Sequence, residues 1–215
     1  MDIISLGHSC IKLKGKNQTV IIDPFDPEKT GMKFGNEEAD ILLISHDHPD
    51  HNFENGVSNV KKVVKYPGEY EIGGVSVVGF KSFHDNSNGS ERGGNVIYRI
   101  EMEKMVLLHC GDLGHLPKKD LIDDIGVIDI LFVPVGGFYT IDAKDAWAFT
   151  QSLSPKIIIP IHYKTEKHKD KIFENLAPVS QFVELTGINP ESMGKLSIKN
   201  ENLVEDSVRL ITLDA

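Results

Sequence analysis

The 215-residue chain is poor in cysteine, in positive charge and in long apolar runs. Its two cysteines, Cys10 and Cys110, are too few for a disulfide framework, so the fold has to stand on its core in a reducing compartment. Each lies among apolar residues beside a histidine, and both are expected to be buried free thiols. No stretch of about 18 apolar residues is present to cross a bilayer, so no membrane partner is expected. The start, MDIISLGHSC, has an acid at position 2 and no basic segment, and does not read as a secretory signal. A cytoplasmic location is therefore expected. Lys and Arg total 23 against 32 Asp and Glu, a formal net charge of −9 that disfavours attraction to phosphate backbones. Nucleic acid is thus not an expected partner, although bound cations would offset part of that charge.

What is present is an ordinary globular composition, 40% hydrophobic and 26% charged, with enough length for one large domain over residues 1–215. The first half alternates short apolar runs with Gly-, Pro- and Asn-rich breaks, which predicts strands and hairpins up to Asp112. The run Ile41-Leu42-Leu43-Ile44 is continuous rather than alternating, as in a strand buried on both faces. Residues 85–95, DNSNGSERGGN, read as a polar loop. A helix is expected from Pro117 to Ile125, followed by a buried strand in IDILFVPVGG. A second helix is expected where Ala143, Ala146, Trp147 and Thr150 recur at helical spacing behind Asp142, an N-cap. PKIIIPIHYKT is a further strand ending at His162, residues 168–186 are a candidate helix, and KLSIKNENL with VRLITLD forms a candidate terminal hairpin. Hairpin strands first and alternating strands and helices later predict a mixed α/β fold of two sheets covered by helices.

The chemistry concentrates in His46-Asp47-His48-Pro49-Asp50-His51, directly behind the apolar run. In extended backbone His46 and His48 point the same way, and Pro49 then forces Asp50 and His51 into a turn. Imidazole suits zinc, iron, copper and nickel, and carboxylate adds oxygen ligands that suit manganese or magnesium. Five ligand-type side chains in six residues exceed what one tetrahedral ion with an open position can use. Two ions are therefore expected, provided more ligands arrive from elsewhere. His84 in GFKSFHD, Asp112 in MVLLHCGD and His162 in KIIIPIH each end a predicted strand. Any one of them alone reads as structural, but four strand ends of this kind argue for one site.

The order Asp23, His46-x-His48-x-Asp50-His51, His84, Asp112, His162 resembles the five-part signature of the metallo-β-lactamase superfamily over nearly the whole chain. The flanks GHSC, IIDPF, FHDNSNG, GDLGH and PVGGFYT…IIPIHYKT look like its small Zn-dependent hydrolase branch, which is similar to L-ascorbate-6-phosphate lactonase and to N-acyl-phosphatidylethanolamine phospholipase D. The resemblance implies an αββα four-layer sandwich with a metal site at one sheet edge. It assigns His46, His48 and His84 to one divalent ion and Asp50, His51 and His162 to a second, with Asp112 bridging and Asp23 bracing the ligand loop from behind. The ions would be zinc, with manganese or iron as alternatives. A metal-held hydroxide would then hydrolyse a small-molecule ester, lactone, amide or phosphodiester, with Asp50 both ligating and taking a hydrogen bond from the nucleophile.

The substrate is expected to meet residues around this set. His8 in LGHSC is read as touching substrate or bracing a ligand, and His115 in GDLGH as structural before functional. Tyr163 and Lys164 follow His162 and are candidates for an anionic substrate, as is Arg92 in the loop SERGGN. His109 is expected in the core and His168, in KTEKHKDK, on a solvated face. The competing enzymatic reading is a nuclease of the same fold. Asn52-Phe53 weakens it, standing where many nucleases carry a glycine-containing turn. The non-enzymatic reading is a metal- or ligand-binding protein with a vestigial site, which would not need all seven ligand-type residues. A homo-oligomer is compatible with either.

Overall fold

Two strand patterns in the sequence build two mixed sheets. The computed structural model describes residues 1–169, 171–203 and 207–214. In chain order its strands are β1 (Asp2–Gly7), β2 (Cys10–Lys14), β3 (Thr19–Ile22), β4 (Glu37–Glu38), β5 (Ile41–Leu43), β6 (Val57–Ser58), β7 (Lys62–Val64) and β8 (Gly68–Ile72). There follow β9 (Val75–Phe83), β10 (Gly94–Met102), β11 (Met105–His109), β12 (Ile130–Pro134), β13 (Ile157–Ile161), β14 (Glu191–Met193), β15 (Leu196–Ser197) and β16 (Arg209–Leu213). The helices are α1 (Pro27–Thr30), α2 (Lys119–Ile125), α3 (Ala143–Leu153) and α4 (Val179–Thr186).

The first sheet runs β15-β1-β2-β3-β5-β7, and the second runs β14-β16-β13-β12-β11-β10-β9-β8. A short parallel pair, β4-β6, stands apart. In the second sheet β8 to β11 form an antiparallel meander, after which β11, β12, β13, β16 and β14 run parallel. Parallel neighbours need crossovers, and helices α2 and α3 supply them on the sheet's outer face.

The continuous apolar strands are buried on both faces. Ile130 and Phe132 of β12 face the first sheet, packing with Ile22, Ile41 and Leu43, while Leu131 and Val133 pack under the helices with Phe149 and Phe182. Ile41 and Leu43 of β5 likewise face inward, and Leu42 and Ile44 face outward against Phe25 and Met32. Burying each such side chain contributes about 1.5–3 kcal/mol, so the inter-sheet layer dominates stability. The outer layer on the first sheet is thin, the four-residue α1 and the chain around Phe34 and Val57. The architecture is therefore an α/β sandwich with its helices mostly on one side.

Helix α3 starts where Asp142 accepts the backbone N–H of Asp145 at 2.9 Å, as its N-cap position predicts. Two expectations fail. The stretch 168–186 is helical only from Val179, because Pro178 cannot continue a helix and stands at its N-cap, with a single 3-10 turn at Lys171–Phe173 before it. Asp170, also in that stretch, lies outside the described residues. Nor do the last strands form a hairpin. β15 pairs antiparallel with β1 in the first sheet, whereas β16 adds parallel to β13 in the second. Leu196 and Leu213 both enter the inter-sheet core, but β15 ends the first sheet while β16 lies between β13 and β14 in the second.

Candidate metal centre

The site forms where strand ends from both sheets meet. The loop 45–53 leaves β5 and is fastened from several directions. Tyr98 of β10 reaches across the sandwich, its one hydroxyl hydrogen shared between Ile44 O at 2.8 Å and Val64 O at 3.1 Å. Val96 N–H donates to Ser45 O at 2.9 Å, Phe53 N–H to Pro24 O at 2.8 Å and Asp26 N–H to Pro49 O at 2.8 Å. The segment bends rather than extending: His51 and Asn52 N–H both return to His48 O, at 2.9 and 3.0 Å. Asp47 is exposed and accepts from the Asn52 side chain, while His46 and His51 are buried.

Asp23, fully buried, organises this loop. Its carboxylate accepts from Ser45 N–H at 2.7 Å and from Ser45 Oγ at 2.7 Å, and lies 3.0 Å from His51 Nδ1. Because Ser45 gives its one hydroxyl hydrogen to Asp23, its oxygen can only accept from His46 Nδ1, 2.9 Å away. Both imidazoles thus carry their fixed hydrogen on Nδ1 and aim Nε2 at the cluster. His46 Nε2, His51 Nε2 and Asp112 Oδ1 are buried there without a hydrogen-bond partner. Buried orphan atoms of this kind are costly unless something binds them. His109 is the counterexample: Gly111 N–H donates to its Nδ1 and its Nε2 reaches Ser9 O at 2.9 Å, so both nitrogens are spent in the core as expected.

The other ligand-type groups arrive at strand ends. His84 follows β9, and Gly114 packs so closely that a Cβ there would lie 2.2 Å from the His84 carbonyl carbon. Asp112 follows β11, its N–H donating to Asn95 Oδ1 at 3.0 Å while Asn95 Nδ2 holds Cys110 O and Ser82 Oγ. His162 follows β13, and a side chain at Gly136 would strike its carbonyl oxygen at 2.2 Å. His8, Asp23 and His162 have φ values of 53, 51 and 51°, the left-handed region that non-glycine residues rarely occupy. Three such residues converging on one site are strain held by the surrounding fold, as functional sites often show.

Candidate ligand atoms fall into sets whose members all lie within 4.8 Å of one another: His46, His48 and His84; His8, Asp50, His51 and His162; and His46, His51 and Asp112. Asp112 stands between the first two. Its Oδ2 is 3.3 Å from His84 Nε2, 3.0 Å from His162 Nε2 and 3.9 Å from His46 Nε2, and its Oδ1 is 3.1 Å from His51 Nε2. Asp50 Oδ2 lies 3.3 Å from His8 Nε2 and 3.8 Å from His51 Nε2.

The charges are strongly coupled. Burial alone would raise the carboxyl of Asp112, yet the adjacent His162 and His51 hold it well below the carboxylate range. Burial would depress His51, but Asp112 and Asp50 raise it well above the ordinary imidazole value. Burial and His51 push His46 down to about 3, while burial and His162 push His8 down to about 4. A cation entering the cluster would replace the proton that His51 otherwise attracts, coupling metal uptake to proton release. Buried Nε2 atoms, fixed tautomers and two carboxylates at this spacing fit divalent cations of the zinc type.

Around this centre the other candidates divide. His8 joins the second set. His115 does not: its Nδ1 donates to Leu116 O at 3.0 Å, and its ring lies against Phe83 beside a cavity shared with Phe138 and Asp142. Tyr163 packs into the helix-side core, and burial raises its hydroxyl pKa. Lys164 donates to Phe173 O at 2.9 Å, so its ammonium is used within its own loop. Arg92 lies 5.7 Å over the Tyr139 ring, on a loop fastened through its backbone. His168 overturns its expectation. It is 8% exposed, its ring clustered with those of His8 and Phe173, because the loop after His162 brings it back against the β1–β2 turn.

Several residues escaped the sequence reading. Asp85 accepts four backbone N–H groups from residues 87–92, a signal present in the Asp-Asn-Ser-Asn-Gly run but not drawn out. Ser45 and Asn95 carry no signal beyond their place beside ligand-type residues, and the charged surroundings of His168 point the wrong way.

Comparison with known proteins follows the same lines. The profile of the β-lactamase superfamily domain matches residues 2–162. A metal-dependent hydrolase of the UPF0173 group from Lysinibacillus sphaericus is 30% identical over 196 residues, 77% of this chain and 86% of its own. One from Pyrococcus abyssi is 26% identical over 188 residues, 74% of this chain and 83% of its own. A crystal structure from Thermotoga maritima, assigned to the Zn-dependent hydrolases of the metallo-β-lactamase superfamily, superposes with a TM-score of 0.78 at 34% identity and covers 99% of each chain.

Proposed function

The chain belongs to the β-lactamase superfamily and is a metal-dependent hydrolase, and from that premise we propose a two-metal site that hydrolyses a small-molecule ester, lactone or phosphodiester. The observation that carries this reading is Asp112. Each of its oxygens faces histidines, and those histidines belong to both ligand sets. His46, His48 and His84 would hold one ion and Asp50, His51 and His162 the other, with Asp112 shared between them.

Divalent ions bound there would lower the pKa of a coordinated water and polarise the oxygen that gains charge. The protein's own groups do the rest. Asp50, its side chain 19% exposed, is nearer solvent than Asp23 or Asp112 and would accept a hydrogen bond from the attacking water while ligating an ion. Asp23 and Ser45 keep Nδ1–H of His46 and His51 turned away from the cluster, so neither ring would have to rotate on binding. The −9 charge favours a small substrate over a phosphate polymer. We read residues 1–215 as one hydrolase domain, since the inter-sheet core draws on residues from Ile3 to Leu213.

The test is metal content of protein purified without added metal, then turnover of lactones, thioesters and phosphodiesters with zinc, manganese and iron. Two metals per chain with turnover of one of these classes is the expected result. Submicromolar tRNA affinity with a steep salt slope would promote the nuclease reading instead.

A further inference from the structure

One histidine reaches the centre without being needed to hold an ion, and a second ring behind it controls what the first can do. His8 sits in the tight β1–β2 turn, with its main-chain carbonyl accepting from His162 N–H at 3.3 Å. Its ring is 4.3 Å from that of His162 and 5.0 Å from Phe173, centroid to centroid, so it has little freedom to turn. His8 Nδ1 lies 3.1 Å from His168 Nε2.

The direction of this contact is settled at its far end. The backbone N–H of Thr165 donates to His168 Nδ1 at 3.2 Å, and a backbone nitrogen can only donate. His168 Nδ1 is therefore bare, and the hydrogen of that neutral ring is on Nε2. His168 Nε2–H then donates to His8 Nδ1, which places the hydrogen of His8 on its own Nε2. That nitrogen is buried, 3.3 Å from Asp50 Oδ2, and makes no aligned hydrogen bond. A metal ligand must present a lone pair, and on His8 the only one is already occupied at Nδ1.

We infer that His168 is a positioning residue: it locks His8 as the Nε2–H tautomer, making His8 a neutral hydrogen-bond donor to Asp50 and the adjoining substrate oxygen rather than a fourth ligand of the second ion. This rests on the two-metal reading above, in which Asp50, His51 and His162 suffice. An N–H there would steady the Asp50 carboxylate and supply a donor where charge develops on a substrate oxygen. The relay Thr165–His168–His8 also ties the loop after β13 to the chemistry.

The experiment is NMR of imidazole-15N-labelled protein, read for tautomer with and without Zn2+. His8 should show a protonated Nε2 in both states, while His46 and His51 change on zinc addition. In His168→Phe, which keeps an aromatic ring against Phe173, His8 should shift toward the Nδ1–H tautomer with zinc per chain unchanged. His168→Gln, whose amide N–H can replace the donor, should restore Nε2–H, and it serves if the Phe variant fails to fold. His8→Ala should retain the full zinc complement. The inference is overturned if zinc converts His8 Nε2 to a metal-bound nitrogen, if His8→Ala loses an ion, or if the His8 tautomer is the same in His168→Phe. Failure of wild-type protein to bind two zinc ions would defeat the two-metal reading alone, since the tautomers are read in metal-free protein too.

Discussion

The two ligand sets are built differently. The set of His46, His48 and His84 is all imidazole, and its two loops are anchored by buried carboxylates, Asp23 under His46 through Ser45 and Asp85 beside His84. The set of Asp50, His51 and His162 carries a charge of its own, and its outer members depend on strained backbone and on the ring of His8 rather than on carboxylate braces. Asp23 braces both from behind, reaching His46 in one through Ser45 and His51 in the other directly. Preorganisation stands out in the first set and Coulombic attraction in the second. Ions in the two places are therefore expected to differ in affinity and in sensitivity to mutation.

Removing what the sets share gives the largest effect. Asp112 is buried just past strand β11 and would offset the repulsion of two cations, which at about 4 Å and an effective dielectric near 20 amounts to roughly 4 kcal/mol per pair of unit charges. Asp112→Ala should lose at least one ion and most hydrolytic activity while the melting temperature stays near wild type in metal-free protein. An aspartate that only shaped the turn at Leu113 would give the reverse, normal metal content with a lower melting temperature. Metal analysis and thermal melting of the variant separate the two.

Asp23 should come next, and it should affect both sets together. It holds His51 directly and His46 through Ser45, so Asp23→Ala is expected to lower metal affinity roughly 10–100-fold without abolishing binding. The Ser45 N–H and Oγ–H would also be left buried and unpaired, costing stability on the order of 1–3 kcal/mol. Competitive chelator titration resolving two binding steps would check it. Loss confined to one step would show that Asp23 does not brace both sets.

Much of this was legible in the sequence because the ligand-type residues sit at ends of apolar runs, and a run such as Ile41–Ile44 has only one buried solution. The ends of β5, β9, β11 and β13 are all where periodicity places them. The last segments were not legible. Leu196 and Arg209–Leu213 satisfy the pattern of one hairpin and the pattern of strands in separate sheets equally, and only the pairing partners far away in the chain decide between them. His168 was misread for a related reason: the lysines and acids around it describe the outside of a loop, and nothing local reveals that one ring of it turns inward onto His8. Tautomers likewise have no sequence signal, since they follow from which backbone groups approach each ring.

The smallest expected effect separates the two sets most cleanly. Asp85 accepts N–H groups of Ser87, Gly89, Glu91 and Arg92 at 2.7, 2.8, 3.0 and 2.8 Å, and these bonds, the one from Arg92 foremost, hold its carboxyl well below the usual range. A folded-state pKa below the unfolded value near 3.9 means that the stabilisation is fully present above that pH and fades as pH falls through the folded value. In metal-free protein, amide protection of residues 86–93, corrected for intrinsic exchange, should therefore be level from pH 7 to about 5 and decline below about 4. Asp85→Asn should weaken that protection at neutral pH and remove its acid dependence, because an amide accepts through one oxygen and carries no charge. His84 is the next residue back, so the variant should loosen only the chelator step belonging to His46, His48 and His84. Hydrogen exchange followed by mass spectrometry reads the loop, and the two-step titration reads the sets. Unchanged protection in Asp85→Asn would show that the glycines alone shape the loop, and an equal loss at both steps would mean that the two sets are not held independently.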